Sequence, residues 1–68
     1  MNYYVIWYED SIERDLVRDE DTNKMILFLN KDKAQEIASS LATSSRTFTV
    51  ESRIMRYVDK NYYIIMDG

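Results

Sequence analysis

The chain has no cysteine and no histidine, and its one glycine is Gly68. Each absence removes a class of chemistry. Without cysteine there is no disulfide and no thiolate zinc site. Without histidine the commonest metal ligand and the commonest general base are both missing. A Ser-His or Cys-His nucleophile is therefore impossible. Phosphate-cradling loops need glycines for positive φ and close backbone approach, so no P-loop and no dinucleotide fingerprint can form. The longest apolar runs are a few residues, too short to span a membrane, and the first residues lack the basic region and long apolar stretch of a signal peptide. The lack of cysteine fits a cytoplasmic location. Carboxylate pairs remain available for acid–base work. Catalysis by such a pair requires a cleft, for which a one-helix domain of this size has little depth. The expectation is a non-enzymatic protein with no cofactor and no resident metal.

What is present is a single domain of 68 residues. Chains this short bury a small share of their surface and have a thin stability margin. With disulfides and zinc excluded, extra stability must come from close packing or from association, and a homodimer is expected. The net charge is −3, but it is unevenly spread. Between Glu9 and Asp21 seven acids face two arginines, a local −5, whereas from Arg46 to Lys60 four cations face two acids, a local +2. Such asymmetry marks either a binding surface or two halves of one salt-bridged surface.

Period and composition give the elements. Asn2–Tyr8, NYYVIWY, reads as a strand rich in aromatic and β-branched residues, apolar on both of its faces. Polar residues 9–13 should turn, and Arg14–Arg18 has a short apolar pair suited to a second strand. Asp19–Asn23, DEDTN, is a tight connection. Lys24–Leu29, KMILFL, is apolar on both parities, as in a central strand. Asn30 is suited to cap a helix. After it Ala34, Ile37, Ala38, Leu41 and Ala42 form one stripe of 3.6-residue period, which predicts a helix lying close on a sheet. From Arg46 to Val58 the period is two, with the even residues toward the core and a bulge near Ser52. Asp59–Asn61 predicts a hairpin to a last strand over Asn61–Met66, with Asn61 suited to positive φ.

The predicted fold class is α+β: an antiparallel sheet of four or five strands with a single helix on one face, in the order β-(β)-β-α-β-β. A helix of about a dozen residues is about 18 Å long and covers one face only. The other face is left wet and aromatic, or something else covers it.

Three stretches could carry function. Asp19, Asp21 and Asn23 are spaced like the opening of a calcium loop, but Lys24 stands where that loop needs glycine and Asn30 where it needs a bidentate glutamate. The bland reading, a solvated acidic turn, is preferred. The aromatics could stack single-stranded nucleic acid beside Arg46, Arg53, Arg56 and Lys60. Against this, the chain is acidic overall, while electrostatics supply most non-specific affinity for nucleic acid. The same aromatics suit a protein interface, since Tyr, Trp, Met and Arg are enriched in interface cores. The residues expected to contact a partner are Tyr3, Trp7, Tyr57 and Tyr63, with Asp19, Glu20 and Asp21 as an acidic adjunct that steers association or imitates phosphates.

In size and style the whole chain resembles the accessory proteins of bacteriophages and mobile elements, although no motif carries the likeness. Such proteins commonly inhibit a host or defence factor by occluding it. The resemblance implies a protein-binding module whose partner is such a factor. The alternatives are a nucleic-acid-binding module and a homo-oligomeric structural protein.

Overall fold

The computed structural model describes residues 1–56 and 59–67. Among them the chain forms β1 (Asn2–Glu9), β2 (Arg14–Leu16), β3 (Met25–Leu27), α1 (Lys31–Leu41), β4 (Thr47–Ile54) and β5 (Tyr63–Ile65). The class is α+β, as the sequence predicts.

β1 is the hub. It pairs antiparallel with β4 along its whole length, from Asn2 opposite Ile54 to Glu9 opposite Thr47. Its other edge is shared by two partners. Trp7–Glu9 pair antiparallel with β2. Further back, Tyr4 exchanges both backbone bonds with Phe28, at 2.8 and 2.9 Å, which joins β3's end to β1. β3 then pairs with β5, and that pair is parallel, Met25 opposite Tyr63 through Leu27 opposite Ile65. Because β3 and β4 are both antiparallel to β1, they run the same way, with α1 crossing between them and β1 lying in the gap.

The helix begins as its sequence dictates. Asn30 has extended backbone, and its Oδ1 accepts from the N–H groups of Asp32 (2.8 Å) and Lys33 (3.2 Å), satisfying two of the free donors of the first turn. Asp67 secures the same junction from the far end of the chain, its carboxylate accepting from Leu29 N (2.8 Å) and Asn30 N (2.9 Å). Ala34 and Ala38 are fully buried against Ile6, Ile26 and Phe28. Their lack of bulk lets the helix lie close on the sheet. The stripe fades toward its end: Leu41 is 39% exposed and Ala42 is the C-cap. A core role for Leu41 is thus corrected, because the last turn of the helix borders two open grooves instead of closely packed residues.

The face opposite the helix holds a second small core. Tyr3, Val5 and Leu27 are buried there, with Trp7, Leu16, Met25, Met55 and Tyr63 packed around them. This explains why β1 and β3 are apolar on both parities. The second face is dry at its centre, covered by the chain's own long side chains.

Other expectations are corrected. β4 keeps one unbroken register with β1, so there is no bulge at Ser52. The regular strand ends at Ile54, and the predicted continuation to Tyr57 and Val58 reaches residues outside those described. The turn at residues 59–62 exists, with Tyr62 N donating to Asp59 O at 3.0 Å and Asn61 N to Asp59 Oδ1 at 2.9 Å. Among the described residues β5 pairs with β3 and not with β4, and the predicted hairpin partner at residues 57 and 58 lies outside those described. The edge of β4 nearest β5 is already filled by β1, whereas beside β3 the Ile64 side chain reaches the helix-side core. Positive φ occurs at Asn23 (φ 59), in the DEDTN turn, and not at Asn61.

Candidate protein-binding surfaces

The aromatic residues expected to meet a partner are distributed between core and surface. Tyr3 is 7% exposed and belongs to the second core. Tyr63 is half-buried in the same cluster. Tyr57 lies outside the described residues. Trp7 is half-buried, and its ring is roofed by arginines: the Arg14 guanidinium carbon is 4.0 Å from the ring centroid and that of Arg53 5.8 Å. Arg53 donates to Glu51, and this hydrogen bond is the main reason the Glu51 carboxyl sits below its ordinary range; burial acts the other way. The Trp7 indole N–H is buried without a hydrogen bond of good geometry among the described residues, yet it adds to the lowering at Glu51.

A similar roof covers the helix-side end of β1. Tyr8 packs on Phe48 with ring centroids 6.4 Å apart, and Arg46 lies over the Tyr8 ring at 4.6 Å while pairing with Asp10 at 3.1 Å. The Tyr8 hydroxyl donates to Glu13 Oε1 at 3.1 Å, which raises its pKa above the ordinary phenol value. Asp10 is held low by the N–H groups of Glu13 and Ile12, with Arg46 contributing less. Local pairing of basic stretch with acidic loop is therefore real at Arg46–Asp10, the salt-bridged alternative that the charge asymmetry left open.

The acidic turn has two parts with different roles. Asp19 builds it: its Oδ2 accepts from the N–H and the hydroxyl of Thr22, both at 2.9 Å, and these bonds depress its pKa. Backbone bonds from Asn23 N to Asp19 O (2.8 Å) and from Asp19 N to Lys24 O (2.9 Å) close the loop. Glu20 and Asp21 are exposed at its tip. The calcium reading gains no support from this geometry, because Asp19 is already committed to its own turn. Among the described residues no group of three or more acidic side chains is disposed to hold a metal ion.

The turn stands beside a groove that sequence patterning does not reveal. A depression of about 350 Å³ opens between α1 and residues 18–21, and its apolar lining includes Val17, Ile26, Phe28, Ile37, Leu41 and Met66. Leu41 also walls a second groove of about 480 Å³, bounded by Ile12, Arg46 and Phe48. Ile12 is 91% exposed and Met66 48%. Ile12 could have been flagged from sequence, since an isolated isoleucine inside the polar run EDSIERD has no core partner nearby. Met66 could not, because only the return of β5 beside β3 brings it near the turn. Comparison with protein-family models, with curated proteins and with solved structures found no match to this chain.

Proposed function

We propose that the chain is a non-enzymatic protein-binding module, acting in the cytoplasm by occluding a partner such as a host or defence factor. The observation that carries this reading is the groove between α1 and the acidic turn. Its floor is apolar and open, and its rim carries Asp19, Glu20 and Asp21 against Arg18 alone. Apolar anchors seated in a pocket, ringed by complementary charge, are how interface hot spots are built. The fitting partner segment presents a large apolar side chain flanked by Lys or Arg. This moves the contact from the aromatic face to the helix side, with Glu20 and Asp21 kept as the steering charges.

The nucleic-acid alternative is weakened by the same geometry. Arg14 and Arg46 lie on the outer faces of Trp7 and Tyr8, where bases would have to stack. Arg46 and Arg53 are also paired with carboxylates, which lowers the cation supply for phosphates.

A displayed-peptide selection against the folded protein tests the reading. Selected sequences should be enriched in Leu, Ile, Phe or Met next to Lys or Arg. Binding should be lost in Leu41→Asp and Met66→Asp, and association should be slower with Glu20→Gln/Asp21→Asn. Binders that ignore all of these substitutions would place recognition elsewhere and sink the proposal.

A further inference from the structure

Among the described residues β4 has one strand neighbour, and its outer edge is open. Parity along β1 determines what that edge presents. Tyr4 gives its backbone bonds to Phe28, and Ile6 O accepts from Val17 N, so the even residues of β1 point away from β4. The odd residues Tyr3, Val5 and Trp7 therefore bond inward to Arg53, Glu51 and Thr49. Met55 N donating to Met1 O keeps the same parity. It follows that Phe48, Val50, Ser52 and Ile54 turn their N–H and C=O groups to the open edge. No hydrogen bond reaches those groups among the described residues.

Natural edges are blunted by short length, proline, charged side chains (lysine above all) or bulges. β4 is eight residues, TFTVESRI, with no proline, lysine or bulge, and its two charges, Glu51 and Arg53, are paired with each other. Ile54 on its helix-side face is 66% exposed. Ser52 is exposed as well, so this end of the strand is left uncovered.

We propose that β4 is the subunit interface of a homodimer, pairing antiparallel with β4 of a second copy about a two-fold axis at Ser52. The strand is self-complementary in this register. Val50 falls opposite Ile54 of the second copy and covers it. Glu51 falls opposite Arg53 of the second copy, and Arg53 opposite its Glu51. Each outward-facing pair exchanges two backbone bonds. The neighbouring registers fail on charge or burial. A two-fold at Glu51 sets like carboxylates against each other. A two-fold at Val50 puts Glu51 opposite Thr49 and leaves Ile54 beyond the paired apolar residues. The result is one continuous sheet through both copies, which supplies the association a thin-margined chain needs. The inference is independent of the groove on the helix side.

Sedimentation at micromolar concentration should give about twice the 8.2 kDa mass. Glu51→Arg alone and Arg53→Glu alone should each weaken the dimer several-fold, because each sets like charges across the axis. Their equimolar mixture should restore it. In the mixed pair the introduced arginine of one variant meets the introduced glutamate of the other, and the native Arg53 of the first meets the native Glu51 of the second. Far-ultraviolet circular dichroism checks that both variants fold. Should either fail to fold, a single Ser52→Cys is compared with Ser39→Cys on the outer helix face using a short thiol-to-thiol cross-linker. Position 52 should cross-link to its own copy and position 39 should not. A wild-type monomer, charge variants that stay dimeric, a mixture that stays monomeric, or equal cross-linking at both positions would each overturn the proposal.

Discussion

The Arg14 guanidinium carbon lies 4.0 Å above the ring centroid of Trp7, on the sheet face that the helix leaves open. Arg14 is itself mostly in water, its side chain 53% exposed, so the contact joins a solvated cation to a half-buried ring. Arg14→Ala should cost about 0.5–1 kcal/mol of stability, the range of exposed cation–π contacts. It should also raise acrylamide quenching of Trp7 fluorescence. Quenching unchanged from wild type would mean that Arg14 does not shield the ring.

Burial separates two leucines that look alike in sequence. Leu27 is 0% exposed and Leu41 39%. Leu27→Ala should cost about 2–5 kcal/mol, enough to unfold most of a chain with so thin a margin. Leu41→Ala should cost about 1 kcal/mol or less and leave the circular dichroism spectrum intact. Equal losses in urea melts would contradict the placement of the last helical turn.

The helix–sheet contact is sensitive in the opposite direction. Ala38, 2% exposed, is buried in one cluster with Ile6 and Phe28. Ala38→Leu should destabilise by about 1–3 kcal/mol through overpacking. A melting temperature equal to or above wild type would show that the helix can stand further from the sheet than described.

Acid should loosen the fold through its turn and junction carboxylates. Asp10 and Asp19 are depressed chiefly by backbone N–H donors. At Asp67 burial pushes the pKa up, but the N–H groups of Leu29 and Asn30 outweigh it and leave it low. A carboxyl with a depressed folded-state pKa binds its proton more weakly than in the unfolded chain. Its contribution is fully present above the unfolded value of 3.8 and is lost as pH falls through the folded value. Urea midpoints should therefore be flat from neutral pH to about 5 and drop below about 4. Asp67→Asn should shallow that drop while lowering the plateau; an unchanged acid limb would remove Asp67 from the account.

The local elements were legible because their causes are local. The Asn30 cap, the alanine stripe and the two-faced strands at 2–8 and 24–29 follow from side chains a few positions apart. Partner choice was not legible. Period two states that a strand has a buried face, not which strand lies beside it, so the pairing of β5 with β3 could not be read. The burial of the candidate site residues was not legible for the same reason. Tyr3 and Tyr63 carry the composition of an interface, yet their exposure depends on Val5, Leu27 and Met55 arriving from distant segments. The acidic turn at residues 19–21 was visible, but the apolar groove beside it is assembled from distant segments, with Val17, Phe28, Ile37 and Met66 each arriving from a different one.

The placement of β1 between β3 and β4 also sets the order of events when the chain folds. The strand nearest the N-terminus bonds on both edges to segments that follow it, Asn2 waiting for Ile54 and Tyr4 for Phe28. Until those arrive, YYVIWY is a bare six-residue run of high β-propensity with no charge and no proline, the composition that seeds cross-β stacking. Closure over such distances is slow compared with helix formation. The same strand that organises the native sheet is thus the segment most exposed to misassembly, and conditions that delay β4 should favour fibres over refolding.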